Sequence, residues 1–423
     1  MELYQTYCLP DGLRIIHLPS SGPVSYCGFA VNAGTRDEQA KEYGMAHFVE
    51  HMLFKGTQKR KAWHILNRME NVGGELNAYT SKEDTFIYTS CLSDDAERAV
   101  ELLCDLVRNS QFPEKEIPKE LEVVIDEINS YKDNPSELIF DDFENLLFEG
   151  HAIGHHILGE KKILKKFNQK MCLDFFKKHY RPENMVFFFY GKTEFRKVVK
   201  MVEKWWSDCA SAIPLWRGQG EDDENNGGDE NNGRVAPLIN QSKDVEVDKK
   251  LHQAHVVIGA RAYDLRSPKR TGIYLLNNIL GGHGMNSRLN LSLREKYGLV
   301  YNVESGLTTY TDSGLINIYF GTDPKSKDRC IELVMREIDR LKNEKLKSSQ
   351  LTAAKKQLKG QLGISSDNGE NLALGMGKSF LHLNKYNNLQ QIYSKIDKVT
   401  AEDLQEIANE IFAEKALFRL VYV

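Results

Sequence analysis

The sequence lacks several features that would assign it quickly. No apolar run of about 18 residues occurs, which excludes a membrane-spanning helix. Neither sign of charge dominates: 56 Lys and Arg against 60 Asp and Glu leave a formal net charge of −4, too small to point to nucleic acid or an anionic membrane. The seven cysteines (Cys8, Cys27, Cys91, Cys104, Cys172, Cys209 and Cys330) are odd in number and scattered, with no C-x-x-C, so free thiols in a reducing cytoplasm are expected rather than a disulfide framework. The opening Met1–Cys8 is neither basic nor apolar and predicts no secretory signal or Arg-rich transit segment. Gly281-Gly282-His283-Gly284 lacks the G-x-G-x-x-G spacing and the Lys-Ser/Thr pair of a phosphate loop. What is present is ordinary globular composition, 41% hydrophobic and 27% charged, over 423 residues, too long for one core.

Against that background one stretch stands out, Gly44-Met45-Ala46-His47-Phe48-Val49-Glu50-His51-Met52-Leu53-Phe54. It reads as a helix with an apolar body and no proline, so His47 and His51 fall one turn apart on a shared face. Two imidazoles so placed grip one small cation, and neutral histidine suits zinc. Glu50 falls beside them, where it can act on water at the metal. Burying a His-Glu-His cluster without such a role is costly. The order H-x-x-E-H inverts the commoner H-E-x-x-H of zinc peptidases. A third ligand is still needed. The helical run Lys119–Ile128 offers Glu120 and Glu127 on one stripe, but periodicity does not choose among Glu122, Asp126 and Glu127.

His47-x-x-Glu50-His51 followed by Glu127 resembles the pitrilysin family of metallopeptidases. The resemblance implies zinc held by His47, His51 and Glu127, with Glu50 as general base. It also implies a further family carboxylate at Glu120, beside the ligands or the water. The stretch Asn77-Ala78-Tyr79-Thr80 is similar to the family's edge strand, to which a peptide adds as an extra strand. In the second half, Ser287–Tyr301 is similar to the family's zinc-free signature, which implies that Arg294 and Tyr301 assist catalysis. Without the resemblance, Arg294 reads as a surface residue and Tyr301 as half-buried.

The rest of the chain reads as an internal repeat. Strands are expected near 13–18 and 25–33, a helix over 62–72 closed by Gly73-Gly74, and a strand pair split by the charged turn Lys82-Glu83-Asp84. Helices follow over 93–110, 114–133 and 168–179, then the apolar strand Met185–Tyr190, whose composition predicts cover on both faces. His151, His155 and His156 lie between glycines and read as a loop, not a second metal site. Gly218–Gly233 is almost wholly Gly, Asn, Asp, Glu and Gln and predicts a flexible acidic linker. Beyond it, 254–262, 274–282, 299–309 and 313–321 echo the first half without H-x-x-E-H.

The expectation is an α+β protein of two homologous domains, each an antiparallel-rich mixed sheet layered with helices. The zinc-bearing domain would span 1–215, a linker 216–234 and a zinc-free domain 235–423. The implied activity is zinc-dependent hydrolysis of extended or unfolded peptides, with one zinc per chain and no nucleic-acid or membrane partner. Long-chain family members carry two such halves, so a dimer is implied, either a homodimer or a heterodimer with a zinc-free paralogue. Two rivals are a silent scaffold subunit and a zinc-binding regulatory module.

Overall fold

A computed structural model describes residues 4–210, 234 and 242–423. The expected acidic linker, 216–234, lies outside the described residues except for Arg234. The chain forms two compact units.

The first unit holds Met1–Ile128, His155–Gly233 and Ser366–Tyr386. Its strands are β1 (Gln5–Cys8), β2 (Arg14–Pro19), β3 (Val24–Val31), β4 (Glu75–Thr80), β5 (Thr85–Leu92) and β6 (Met185–Gly191). They form one sheet in the order β1-β2-β6-β3-β5-β4. Only β2 and β6 run parallel; every other neighbour is antiparallel. β4 is therefore an edge, paired with β5 from Glu75 opposite Ser90 to Thr80 opposite Thr85.

Side chains alternate across a strand, and both faces of this sheet are apolar. On one face Ile15, Phe29, Ile87, Phe187 and Phe189 pack with the helices α1 (Met45–Leu53), α2 (Ala62–Glu70), α3 (Ala96–Asn109) and α4 (Ile117–Lys132). On the other, Ile16, Ala30, Phe86, Val186 and Phe188 meet Ala373, Met376 and Phe380 of the helix Gly369–Leu383. The run of phenylalanines in β6 is thus covered twice, as its composition predicts. α2 closes through Gly73, whose φ of +70° admits glycine at no cost, and Gly74 N–H donates to the Met69 carbonyl at 3.0 Å.

The second unit holds Asn129–Gly154, Arg234–Ser365 and Asn387–Val423. Its strands are β7 (Asp244–Val247), β8 (Ala254–Ala262), β9 (Val300–Thr309), β10 (Gly314–Thr322) and β11 (Phe418–Tyr422). The sheet order β7-β11-β8-β10-β9 repeats that of β2-β6-β3-β5-β4, including one parallel pair at the same place. One face packs Val256, Ile258, Ile316 and Phe320 against Ile273, Leu276 and Leu280 of the helix Arg270–Gly281. The other packs Val257, Leu315, Tyr319 and Leu420 against Ile139, Phe143 and Leu147 of α5 (Pro135–Leu147).

Each unit therefore takes a covering helix from the other half of the sequence. Sequence halves meeting at an acidic linker describe the repeat; the compact units exchange α5 and Gly369–Leu383 across it. The physical reason is burial, since a sheet apolar on both faces leaves one face wet unless a second helix layer arrives.

Candidate metal centre

α1 begins at Gly44, whose φ of +96° is left-handed, and a Cβ there would stand 2.8 Å from the Leu158 carbonyl oxygen. Glycine has no side chain to cap a helix, and Glu38 does so from upstream. Its Oε2 accepts from Gly44 N–H at 2.9 Å and its Oε1 from Ala46 N–H at 2.7 Å. His155 Nε2 lies 3.1 Å from the same carboxylate, and its ring stacks on Tyr43 at 3.9 Å. Burial pushes the Glu38 carboxyl well up, against the two amide hydrogen bonds. His155 thus serves the start of α1. Among the described residues one group of His, Cys and acidic side chains is placed to share an ion: His47, His51 and Glu127.

His47 Nε2 and His51 Nε2 each lie 3.7 Å from Glu127 Oε2. That oxygen is buried and accepts no hydrogen bond, and His47 Nδ1 is likewise buried and unpaired. Donors around tetrahedral zinc stand ~3.4 Å apart when each bond is ~2.1 Å, so each histidine nitrogen needs to close only slightly on the Glu127 oxygen. Two imidazoles and a carboxylate are a donor set that zinc accepts. Burial, and then the neighbouring His51, lower the pKa of His47 to about 3, so it stands neutral with a free lone pair. For His51 burial opposes charge, but the Glu120 hydrogen bond and the charges of Glu50, Glu120 and Glu127 outweigh it and raise its pKa.

Glu120 sits behind the site. Its Oε1 lies 2.9 Å from His51 Nδ1 and its Oε2 is 2.6 Å from Lys55 Nζ. A carboxylate on the far nitrogen fixes the ring and its tautomer, leaving Nε2 to face Glu127. Burial would raise the Glu120 carboxyl, but His51 and Lys55 together hold it below its usual range. Lys55, just past the end of α1, was not anticipated; its one signal was a cation one turn beyond His51.

Glu50 is 7% exposed, and its Oε2 accepts from Thr80 Oγ1 at 2.6 Å. Burial raises its pKa, with Thr80 and His51 opposing and Glu127 adding to the rise. Asn77 is exposed on the edge strand β4, while Ala78, Tyr79 and Thr80 are half-buried. The turn after β4 departs from the simple charged turn that its composition predicts, because Lys82, Glu83 and Asp84 are all buried. Lys82 Nζ donates to the His155 carbonyl, Glu83 pairs with Arg36 at 2.5 Å, and Asp84 Oδ2 lies 2.9 Å from His382 Nε2 and 3.0 Å from Lys378 Nζ.

In the second unit the segment Asn290–Lys296 winds as a π-helix, a form frequent at functional sites, and presents Arg294 half-buried. The Arg294 guanidinium stands 5.8 Å from the Tyr301 ring centroid. Tyr301 is 85% exposed, not half-buried, because it lies near the start of the edge strand β9.

Residues 15–161 match the family described as Insulinase (Peptidase family M16), and residues 166–358 match the description Peptidase M16 inactive domain. An uncharacterized zinc protease, YmxG, of Bacillus subtilis is 30% identical over 421 residues, covering 99% of this chain and 98% of that protein. The bovine (Bos taurus) mitochondrial-processing peptidase subunit beta is 29% identical, over 97% of this chain and 82% of that subunit. The crystal structure of a protease from Helicobacter pylori shares the fold with a TM-score of 0.89, at 19% identity and 99% coverage of both chains. With a two-sheet repeat, an inverted histidine motif joined to a distant glutamate, and relatives alike over nearly their whole length, the chain belongs to peptidase family M16.

Proposed function

We propose that the protein is a zinc-dependent endopeptidase acting on extended or unfolded peptides, with one zinc per chain held by His47, His51 and Glu127. The observation that carries this reading is the buried Glu50 carboxylate on the same helix as two histidines that share an unpaired carboxylate oxygen. Zinc in this site supplies a Lewis acid that polarises a peptide carbonyl and acidifies water. Glu50 takes the proton from the attacking water on Oε1, the oxygen that Thr80 leaves free, and returns it to the leaving amine. Glu120 and Lys55 hold His51 in register. A peptide lies along β4 from Asn77 to Thr80 through main-chain hydrogen bonds, so sequence preference is loose.

Arg294 and Tyr301 supply a planar donor fork and a hydroxyl for developing negative charge. We propose further that they act on the zinc site of a partner, in a homodimer or with a zinc-free paralogue. Six described cysteines are free and five of them buried, which supports the cytoplasm as the compartment. No helix among the described residues is long and apolar enough to cross a membrane. The test is hydrolysis of a quenched-fluorescence peptide with and without chelator, beside zinc analysis. Zinc-dependent turnover is expected; zinc bound without turnover would favour a regulatory module, and neither would favour a silent scaffold.

A further inference from the structure

Thr80 stands at the end of the edge strand β4, where the strand meets its buried turn. Its neighbour Tyr79 faces the sheet side covered by Gly369–Leu383, stacking on Phe86 at 5.0 Å. By alternation Ala78 and Thr80 face α1, and Ala78 packs there on the larger core. The Thr80 hydroxyl has one proton and two neighbours. Thr85 Oγ1 is 3.4 Å away and gives its own proton to the Ala33 carbonyl at 2.9 Å. Glu50 Oε2 is nearer, at 2.6 Å, within the short range of a hydroxyl donating to a carboxylate. Among the described residues this is the one hydrogen bond that Glu50 receives.

A glutamate carboxyl rotates almost freely about its last torsion, and burial in apolar surroundings does not choose its plane. A single donor does. With Oε2 held by Thr80, the proton-accepting role passes to Oε1. Thr80 itself has little freedom. Ser81 Oγ donates to Asp84 Oδ1 at 2.7 Å, Glu83 pairs with Arg36, and Asp84 pairs with His382, all within one to four residues of Thr80. We infer that the Thr80 hydroxyl is a positioning donor for Glu50, linking the orientation of the base to the strand on which the peptide lies. Its side chain thus serves the base, while its backbone remains available to substrate. This rests on Glu50 being the base.

The test compares Thr80→Val, which keeps the β-branched shape without the hydroxyl, with Thr80→Ser, which keeps the hydroxyl. Both are measured for zinc per chain, melting temperature of the metal-free protein, and kcat and KM on a quenched-fluorescence peptide, with Glu50→Gln alongside. Loss of one hydrogen bond to a charged group corresponds to a fall of about 10- to 100-fold. Thr80→Val should lose that much in kcat with KM within about twofold, while Thr80→Ser recovers most of kcat. Zinc content and melting temperature should match the unaltered protein in both. If Thr80→Val melts early, Thr80→Ala replaces it in the same comparison with Thr80→Ser. An unchanged kcat in the variant lacking the hydroxyl, with Glu50→Gln inactive, overturns the role of Thr80 alone. An active Glu50→Gln overturns the reading of Glu50 itself. Equal kcat losses in Thr80→Val and Thr80→Ser would show that shape, not the hydroxyl, matters, and would also overturn the inference.

Discussion

The two units share one sheet plan and differ in what is buried by the helix that follows the matching strand, β3 in one and β8 in the other. In the second unit the helix Arg270–Gly281 buries Gly272, Ile273, Leu275, Leu276, Leu280 and Gly281, all apolar. In the first, α1 buries His47 and Glu50 among its apolar residues. Charged and imidazole groups resist burial, so the first unit surrounds them with supports. Glu38 caps the helix, Glu120 and Lys55 hold His51, and Thr80 meets Glu50. The turns differ likewise. Lys82, Glu83 and Asp84 are all buried in the first unit, whereas in the matching turn of the second Thr311 and Asp312 are half-buried between the buried Tyr310 and Ser313. The same scaffold can thus carry a buried polar site only with added polar scaffolding around it. Without those groups it returns to an ordinary apolar core.

The comparison breaks most completely if the three proposed ligands are made two. His47→Ala or Glu127→Ala should release zinc at micromolar chelator and abolish hydrolysis, while the second unit's sheet keeps its circular-dichroism signal. Retention of wild-type zinc affinity by Glu127→Ala would move the third ligand elsewhere, with Glu120 and Glu122 first in line.

A second experiment sharpens the division of labour between the units. Tyr301→Phe and Glu50→Gln should each be nearly inactive alone. Random subunit exchange of equal amounts makes about half the dimers mixed, each with one intact site if Tyr301 serves its partner's zinc. Roughly a quarter of wild-type turnover should return. No recovery despite proven exchange contradicts a site completed by the partner.

Smaller effects test the supports. Glu38→Ala removes the acceptor for Gly44 and Ala46 N–H and should cost about 1–2 kcal/mol of stability, read by urea unfolding. An equivalent fall in zinc affinity should accompany it, because α1 frays from the histidine end. Asp84 provides a pH test. Burial would raise its carboxyl, but Lys378 and the His382 hydrogen bond outweigh burial and hold it well below the usual carboxylate range. Its folded pKa is the lower one, so its stabilisation is present above the unfolded value of ~3.9 and is lost as pH falls below that. Asp84→Asn should therefore flatten the decline in stability below about pH 4. An unchanged acid limb would show that the buried turn does not depend on this charge.

Much of this architecture was legible in local patterns. α1 declared itself through helical spacing and its histidines, and β6 through its phenylalanines. What was not legible depends on distant partners. From the sequence no helix is placed over α5 or Gly369–Leu383, and even a recognised amphipathic helix names a buried face and not the sheet that covers it. Lys82, Glu83 and Asp84 read only as a charged turn, because nothing nearby in sequence announces Arg36, His155 or His382. The choice of Glu127 came from a resemblance, since one helical stripe cannot say which carboxylate points at a histidine. Exposure of Tyr301 follows from its place at the start of an edge strand, which only the strand order reveals.

The central claim is that the proposed ligands His47 and His51 and the proposed base Glu50 are separate groups on one helix, with the third ligand, Glu127, supplied by α4. It is tested most directly by the zinc content and peptide hydrolysis of Glu50→Gln, measured on the same preparation. The account predicts close to one zinc per chain, as in the unaltered protein, with hydrolysis reduced by about 10²- to 10⁴-fold. Full zinc with near-normal hydrolysis would contradict it, because the carboxylate assigned to move the proton would then be dispensable.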